Sequence, residues 1–237
     1  MGNSIKFSAI CNRGKVRQNN QDRIYISDTN LSENTDVSIT GNSDAKIFTA
    51  GIFDGMGGEV SGDKAAEIAV ETMQMNDKAD FNSLCSLINK KICEYMKENR
   101  ILRMGTTAAL VRINKDCADI CNIGDSKIYL IDEAAIKQIS VDHAETIGRM
   151  RPRRVLTQHL GIPEIEMLIE PYCNKIELNK GEKLLLCSDG LTDMVTEKEI
   201  YSNIKETDAE LCAETLFNAA MLNGGRDNIS IIVCEKE

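Results

Sequence analysis

The stretch Lys46-Ile47-Phe48-Thr49-Ala50-Gly51-Ile52-Phe53-Asp54-Gly55-Met56-Gly57-Gly58 is an apolar strand pattern that runs into an aspartate and a glycine-rich turn. Three further aspartates, Asp125, Asp189 and Asp227, also stand where apolar strand patterns start or stop. A carboxylate at the edge of a hydrophobic sheet is costly unless it is paired or coordinated. The recurrence therefore indicates a site for a divalent cation, which prefers oxygen ligands.

The order of the patterns around this stretch predicts an α+β fold. Strand patterns at residues 4–11, 23–27 and 45–53 are followed by two amphipathic helical patterns at 62–75 and 80–100. Three strands at 106–113, 117–123 and 127–131 are joined by short turns, which favour an antiparallel meander. A strand at 183–188, helices at 197–204 and 208–222, and a strand at 229–234 complete the chain. We expect one domain over residues 1–237, with 28–44 as a polar loop or hairpin.

Antiparallel pairing explains how distant aspartates could meet. The beginning of one strand lies beside the end of its neighbour, so Asp22, which opens a strand, can face Asp54, which closes another. Asp189 and Asp227 satisfy the same relation if their strands pair. Asp125, at a predicted hairpin turn, could lie on the same rim.

Composition excludes several classes of partner. A net charge of -9 and an acidic pI argue against a nucleic-acid or anionic-membrane surface, and no apolar run is long enough to span a bilayer. The N-terminus lacks a signal-peptide pattern, so we expect a cytoplasmic protein. Nine cysteines are an odd number for a disulfide framework, and several lie within apolar strand patterns, which indicates reduced core thiols. Two histidines are too few for an imidazole-rich zinc centre. Mg²⁺ or Mn²⁺ is the expected ion.

Clustered carboxylates repel one another unless cations offset the charge, and two divalent ions that share a bridging carboxylate would do so. Asp54 is the predicted bridge, with the carbonyl of Gly55 as a further ligand. Water held between such ions becomes a hydroxide nucleophile near neutral pH, which suits the hydrolysis of phosphoesters. Arg17 could clamp the phosphate through bidentate hydrogen bonds, although a solvated surface arginine explains its position equally well on spacing alone.

Eight ordered motifs resemble the metal-dependent serine/threonine protein phosphatases of the type 2C family, in particular its bacterial branch. They are Gly14-Lys15-Val16-Arg17 with Asn20-Gln21-Asp22, Phe53-Asp54-Gly55-Met56-Gly57-Gly58, Met104-Gly105-Thr106-Thr107, Asn122-Ile123-Gly124-Asp125-Ser126, Asp142-His143, Leu156-Thr157-Gln158-His159-Leu160-Gly161, Cys187-Ser188-Asp189-Gly190-Leu191 and Asp227-Asn228. The resemblance covers almost the whole chain. It implies a four-layer α-β-β-α sandwich of two antiparallel sheets flanked by helix pairs.

The resemblance also implies residue roles. Asp54, Asp189 and Asp227 resemble the ligands of a first metal, and Asp22, Asp54 and the Gly55 carbonyl resemble those of a second. Asp125 with Asp189 would hold a third, weaker ion. Arg17 is similar to the phosphate clamp, which favours that role over the solvated arginine. The implied substrates are phosphoserine and phosphothreonine in proteins, with a cognate serine/threonine kinase as a possible partner, and the protein is expected to act as a monomer.

Residues 144–154 correspond to a shortened form of the family's substrate-gating flap. The segment carries Arg149, Arg151, Arg153 and Arg154 in an otherwise acidic chain. These arginines could attract phosphoprotein substrates, or the segment could be an ordinary exposed loop.

Two other functions stay open at this point. Cys11-Asn12-Arg13-Gly14-Lys15-Val16-Arg17 matches the Cys-x-x-Gly-x-x-Arg part of the phosphate loop of cysteine-dependent phosphatases, which requires a helix N-terminus after the loop. A strand pattern follows here instead. The second alternative is a non-catalytic member of the fold that binds phosphoproteins, which a missing metal ligand would indicate; none of the predicted aspartates is missing.

Overall fold

The computed structural model describes residues 4–27, 29, 36–56, 61–148 and 153–237. The strands are β1 Ile5–Asn12, β2 Arg23–Ile26, β3 Val37–Ser43, β4 Ile47–Phe53, β5 Gly55–Met56, β6 Gly105–Thr106, β7 Ala108–Asn114, β8 Cys117–Ile123, β9 Lys127–Ile131, β10 Ile136–Gln138, β11 Ala144–Ile147, β12 Arg153–Leu156, β13 Tyr172–Glu177, β14 Lys183–Cys187 and β15 Ile229–Lys236. The helices are α1 Gly62–Met75, α2 Phe81–Asn99, α3 Asp189–Thr192, α4 Glu197–Ile204 and α5 Ala209–Leu222.

Two large antiparallel sheets form the centre of the fold. The first sheet has the order β10-β9-β14-β15-β1-β3, and the second has the order β13-β8-β7-β4-β2. Strands inside the sheets, such as β14 and β15, are buried on both faces and are correspondingly apolar, whereas the edge strand β3 alternates between half-buried and exposed positions. The two-stranded pairs β5-β6 and β11-β12 lie outside these sheets.

Three apolar clusters separate four layers. One lies between the sheets and includes Phe7, Phe48 and Ile232. A second joins the second sheet to α1 and α2, and a third joins the first sheet to α3, α4 and α5. The predicted α-β-β-α sandwich is confirmed. The single domain over 1–237 stays a prediction.

Local sequence explains where the long helices begin. The Asp80 carboxylate accepts a hydrogen bond from the Ser83 amide and caps α2. Thr196 and Glu199 form a reciprocal capping box at the start of α4. In the part of the chain that the structure describes, no helix is long and apolar enough to cross a membrane.

Part of the predicted loop at 28–44 is a strand. Val37–Ser43 pairs with β1 along its whole length and forms an edge of the first sheet, while residues 28 and 30–35 lie outside the described residues. The segment alternates, with Val37 and Ile39 half-buried and Ser38 and Thr40 exposed. Its polar outer positions gave it the composition of a loop.

The predicted meander at 106–131 is wrong in its last step. Strand β7 pairs with β8 as expected, but β9 pairs with β14 and β10 in the other sheet. The turn at Gly124 and Asp125 therefore carries the chain from one sheet to the other. Gly124 has φ +98°, a conformation that favours glycine.

The predicted flap is a short hairpin where it is described. Ala144–Ile147 pairs with Arg153–Leu156, and residues 149–152, with Arg149 and Arg151, lie outside the described residues. Strand β13, which the sequence patterns did not predict, adds an edge to the second sheet.

Candidate active site

A cleft of about 770 Å³ lies where strands of both sheets end. Its lining includes most of the predicted site residues: Arg17, Asp54, Gly55, Asp125, Asp189 and Asp227. Asp22 does not line the cleft; it is buried, with 1% of its surface exposed. The structure thus brings six of the seven predicted residues to one cavity.

Asp22 and Asp54 stand at the same edge of the second sheet. Their neighbours Arg23 and Phe53 are directly paired across β2 and β4, as the antiparallel argument predicts. One carboxylate oxygen of Asp22, Oδ2, accepts a hydrogen bond from Ser230 Oγ at 2.7 Å. The other, Oδ1, is buried and has no hydrogen-bond partner. A buried carboxylate oxygen without a donor is a position that a cation would satisfy.

The backbone of Asp54 is fixed by the Met104–Thr107 motif. The Asp54 amide donates to Thr107 Oγ1 at 3.1 Å, and its carbonyl accepts from the Thr107 amide at 2.9 Å. Gly55 packs closely, because a Cβ there would lie 2.2 Å from the carbonyl oxygen of Gly62. The backbone at Asp54 is therefore fixed by Thr107, and the backbone at the next residue, Gly55, packs against Gly62.

Asp189 and Asp227 come from neighbouring strands of the first sheet. Strands β14 and β15 pair, and the Ser188 amide donates to the Ser230 carbonyl at 3.0 Å beyond the end of β14. Gly190 is required here, since a Cβ at that position would lie 1.9 Å from the Asn228 carbonyl oxygen. The predicted pairing of the two strands is confirmed, and it places Asp189 and Asp227 at the same end of the strand pair.

Asn228 ties the loop that carries Arg17 to the site. Its side-chain oxygen accepts from the Gln21 amide at 2.9 Å, and its Nδ2 donates to the carbonyls of Arg13 and Asn19 at 3.0 Å each. The sequence marked Asn228 as part of a motif but gave it no role. The partners of Asn228 lie about two hundred residues away in the sequence, so this role becomes visible only in the structure.

Arg17 binds a predicted metal ligand. Its Nε and Nη2 donate to the two carboxylate oxygens of Asp227 at 2.8 and 2.5 Å, and these contacts raise the pKa of Arg17. The arginine thus lines the cleft, with 57% of its side chain exposed to solvent. Its role as a phosphate clamp stays a prediction.

A second arginine enters the acidic cleft. Arg154 lies 3.1 Å through Nε from Asp125 Oδ2 and also pairs with Asp142, which Lys127 contacts as well. The sequence placed Arg154 in a flap that attracts substrates, and nothing in its spacing indicated a partner in the Asp125 turn. Both Nε and Nη2 of the Arg154 guanidinium therefore contact aspartate carboxylates.

His143 has a structural part in the same turn. Its amide donates to the Gly124 carbonyl at 2.8 Å, and the Gly124 amide lies 3.3 Å from His143 Nδ1. Burial lowers the pKa of His143, so the ring is neutral at physiological pH. This pairing holds the turn that presents Asp125.

The carboxylates of the cleft repel one another. The pKa of Asp54 is raised well above its usual value, first by burial and then by the charges of Asp22, Asp189, Asp125 and Asp227. Burial also raises the pKa of Asp189, with the charges of Asp125 and Asp227 adding to the effect. The site therefore holds more negative charge than its two arginines offset.

This charge and the oxygen-only donors fit hard divalent cations. Within the described ranges, no three acidic, histidine or cysteine side chains already converge in the way that a metal ion requires. Two of the candidate ligands, Asp227 and Asp125, are instead engaged by arginines. An ion that bound here would take the place of these ion pairs.

The structure contradicts a cysteine nucleophile. Cys11 lies within β1, its side chain is buried, and Asn20 Nδ2 donates to its sulfur at 3.2 Å. Burial raises the pKa of Cys11 to about 12, so the thiol stays protonated. Arg17, the other half of that motif, pairs with Asp227.

Comparisons with known proteins identify the family of the chain. The family description protein phosphatase 2C matches residues 18–221. Protein phosphatase PhpP of Streptococcus pneumoniae is 30% identical, with 96% of each chain covered. Serine/threonine protein phosphatase PstP of Mycobacterium tuberculosis is 24% identical over 98% of this chain, which spans 45% of that relative's length.

Solved structures share the fold. A serine/threonine phosphatase of S. agalactiae has a TM-score of 0.81 at 23% identity, covering 98% of this chain and all of that one. The catalytic domain of PstP in complex with two manganese ions has a TM-score of 0.77 at 23% identity, with 98% of each chain covered. With a matching family description over most of its length and a full-length relative at 30% identity, the chain belongs to the protein phosphatase 2C family.

Proposed function

We propose that the protein is a metal-dependent phosphatase that hydrolyses phosphoserine and phosphothreonine in proteins. The observation that carries this proposal is the convergence of Asp54, Asp189, Asp227 and the buried Asp22 at strand ends of both sheets, beside Arg17. The unpartnered Oδ1 of Asp22 and the raised pKa of Asp54 support a cation at this point.

The proposed ligand sets follow the carboxylates. Asp54, Asp189 and Asp227 would hold one ion, and Asp22, Asp54 and the Gly55 carbonyl a second, while Asp125 and Asp189 offer a third and weaker place. When bound, Mn²⁺ or Mg²⁺ ions would supply an activated water for direct attack on phosphorus. The two manganese ions bound to the related PstP domain support this choice of ion.

The chain's own residues would bind and orient the phosphate. Arg17 reaches the cleft from a loop that Asn228 holds, and its guanidinium is free to turn from Asp227 to a phosphate once that carboxylate binds an ion. Met56 lines the cleft immediately after Gly55 and carries no proton to donate. Met56 is thus excluded as a general acid, and Arg17, whose raised pKa keeps it protonated, would orient the ester without giving up a proton.

An adjoining groove supports a protein substrate rather than a small ester. It has a volume of about 580 Å³, and it shares Met56 and Leu156 with the acidic cleft. Its wall is mostly apolar and includes Leu102, which is 97% exposed, and Met167. A peptide segment beside the phosphorylated residue could lie there. A cognate kinase as partner, a cytoplasmic location and a monomeric state belong to the same proposal.

The test is hydrolysis of a phosphothreonine peptide and of para-nitrophenyl phosphate, with Mn²⁺ or Mg²⁺ and then with EDTA. We expect metal-dependent turnover that Asp54→Asn abolishes and that Cys11→Ser leaves intact. Turnover that resists EDTA would contradict the metal mechanism. Absence of turnover with either ion would favour a non-catalytic member that binds phosphoproteins.

A further inference from the structure

Two cysteines face each other across the edge of the second sheet, away from the residues of the cleft. Cys173 in β13 is directly opposite Cys121 in β8, and their sulfur atoms lie 2.8 Å apart. Both thiols are free. A third thiol, Cys85 of α2, lies 3.9 Å from the Cys121 sulfur.

The strand pairing satisfies the geometry of a disulfide. Residues directly opposite in an antiparallel pair have Cα atoms about 4.5–5.5 Å apart, within the range of about 4.4–6.8 Å that disulfides require. The two sulfurs need to approach by less than about 1 Å to reach bonding distance. No rearrangement of the backbone is needed.

The two thiols differ in access to solvent. Cys173 is exposed on the edge strand, whereas Cys121 is fully buried beneath it. An oxidant in solution therefore reaches Cys173 first. Cys121, with none of its surface exposed, lies in contact with Cys173 and can take part in a second step.

The two thiols also differ in acidity. The Cys173 thiol donates to Asn82 Oδ1 in the first turn of α2, with 3.5 Å between sulfur and oxygen. The contact with Cys121 lowers the pKa of Cys173, while burial and the charge of Asp80 act in the opposite direction. The same contact, with Cys85 and burial, raises the pKa of Cys121.

We propose that Cys173 and Cys121 are a peroxide-reactive pair that closes to a reversible disulfide. The Cys173 thiolate attacks one oxygen of hydrogen peroxide, the O–O bond breaks, and hydroxide leaves; the hydroxide takes up the proton that the thiol had released, which gives a sulfenic acid and water. The Cys121 sulfur then attacks the Cys173 sulfur, the S–O bond breaks, and the departing hydroxide takes the Cys121 proton. Two thiols lose two electrons and two protons, and one peroxide becomes two waters. A dithiol reverses the reaction by exchange.

The experiment oxidises the metal-free protein with one equivalent of hydrogen peroxide, blocks free thiols by alkylation and identifies cross-linked tryptic peptides by mass spectrometry. We expect a dithiothreitol-reversible link between the peptide 155–175, which contains Cys173, and the peptide 116–127. Because Cys117 and Cys121 share the second peptide, fragment ions must assign the link to Cys121.

Two variants sharpen the result. Cys173→Ser changes an exposed side chain and should abolish the link, whereas Cys117→Ser, the matched control, should keep it. Replacing Cys121 by alanine should let a second equivalent of hydrogen peroxide oxidise Cys173 onward to sulfinic acid, because the second thiol is no longer present to intercept the sulfenic acid. A link through Cys117 or Cys85, or a loss of thiols that is the same in Cys173→Ser, would overturn the proposal.

Discussion

Replacing Asp22 by asparagine should stabilise the metal-free protein, although it removes a proposed metal ligand. Asp22 is buried, and its pKa is raised from 3.8 to about 6, mainly by burial. Since each pKa unit corresponds to about 1.4 kcal/mol, its ionised form costs up to about 3 kcal/mol of folding free energy at neutral pH. Asparagine keeps an acceptor for Ser230 and removes the charge.

We therefore expect the unfolding temperature of Asp22→Asn in EDTA at pH 7.5 to rise by about 3–10 °C, which corresponds to about 1–3 kcal/mol for a chain of this size. The sign depends on pH. Because the folded pKa lies above the unfolded one, the native wild type binds more protons between these values, and its stability falls as pH rises through this window. The difference between variant and wild type should vanish near pH 4.

Manganese should reverse the ranking. A bound ion stabilises the wild type by about 2.7 kcal/mol at a concentration one hundred times its Kd, and the variant should gain much less. Differential scanning fluorimetry with and without Mn²⁺ measures both effects, with Asp44→Asn, an exposed carboxylate outside the cleft, as the control. A lower unfolding temperature for the metal-free variant, or an equal shift with Mn²⁺, would refute the reasoning.

Three further predictions concern binding and packing. Arg17→Lys should lower kcat/KM for para-nitrophenyl phosphate by about 10–100-fold, because hydrogen bonds to charged groups contribute about 1.5–3 kcal/mol, while Mn²⁺ affinity by calorimetry does not fall. Leu102→Asp should reduce kcat/KM for phosphoproteins but not for para-nitrophenyl phosphate. The control is Met75→Asp, at another exposed apolar residue that does not line the groove, and equal effects of Leu102→Asp on both substrates would contradict a docking groove. Gly190→Ala should lower the free energy of unfolding in urea by about 2 kcal/mol or more, because the new Cβ would collide with the Asn228 carbonyl. In the control, Gly181→Ala, the new Cβ meets nothing within 4 Å, so only backbone strain of about 1 kcal/mol is expected. Similar losses in the two variants would argue against close packing at Gly190.

The sequence patterns predicted two kinds of element well: helices with one apolar face, and strands that are apolar along most of their length. The helices at 62–75 and 197–204 match the structure residue for residue, and the strands at 117–123 and 127–131 do so as well. Edge strands were harder. Val37–Ser43 and Tyr172–Glu177 are half-exposed and polar on their outer face, so their composition resembles that of loops.

Sheet membership could not be read from the turn at Gly124 and Asp125. A short glycine turn joins strands with similar local geometry whether they pair or not, and the pairing is decided by β14, which lies more than fifty residues later. The candidate aspartates were nevertheless found, because a charge at the end of an apolar strand is visible in the sequence. The contacts of Arg154 and Asn228 were not predicted, because their partners are distant in the sequence.

The origin of the carboxylates in different sheets gives a bound ion a mechanical role. Asp22 and Asp54 adjoin strands of the second sheet, and Asp189 and Asp227 adjoin strands of the first. An ion that bound these groups would link the two sheets at the cleft, in addition to the apolar packing between them and the hydrogen bond from Ser230 to Asp22. Chelation should then loosen the end of the sandwich at the cleft first, and hydrogen exchange there should quicken before the opposite ends of the same strands respond.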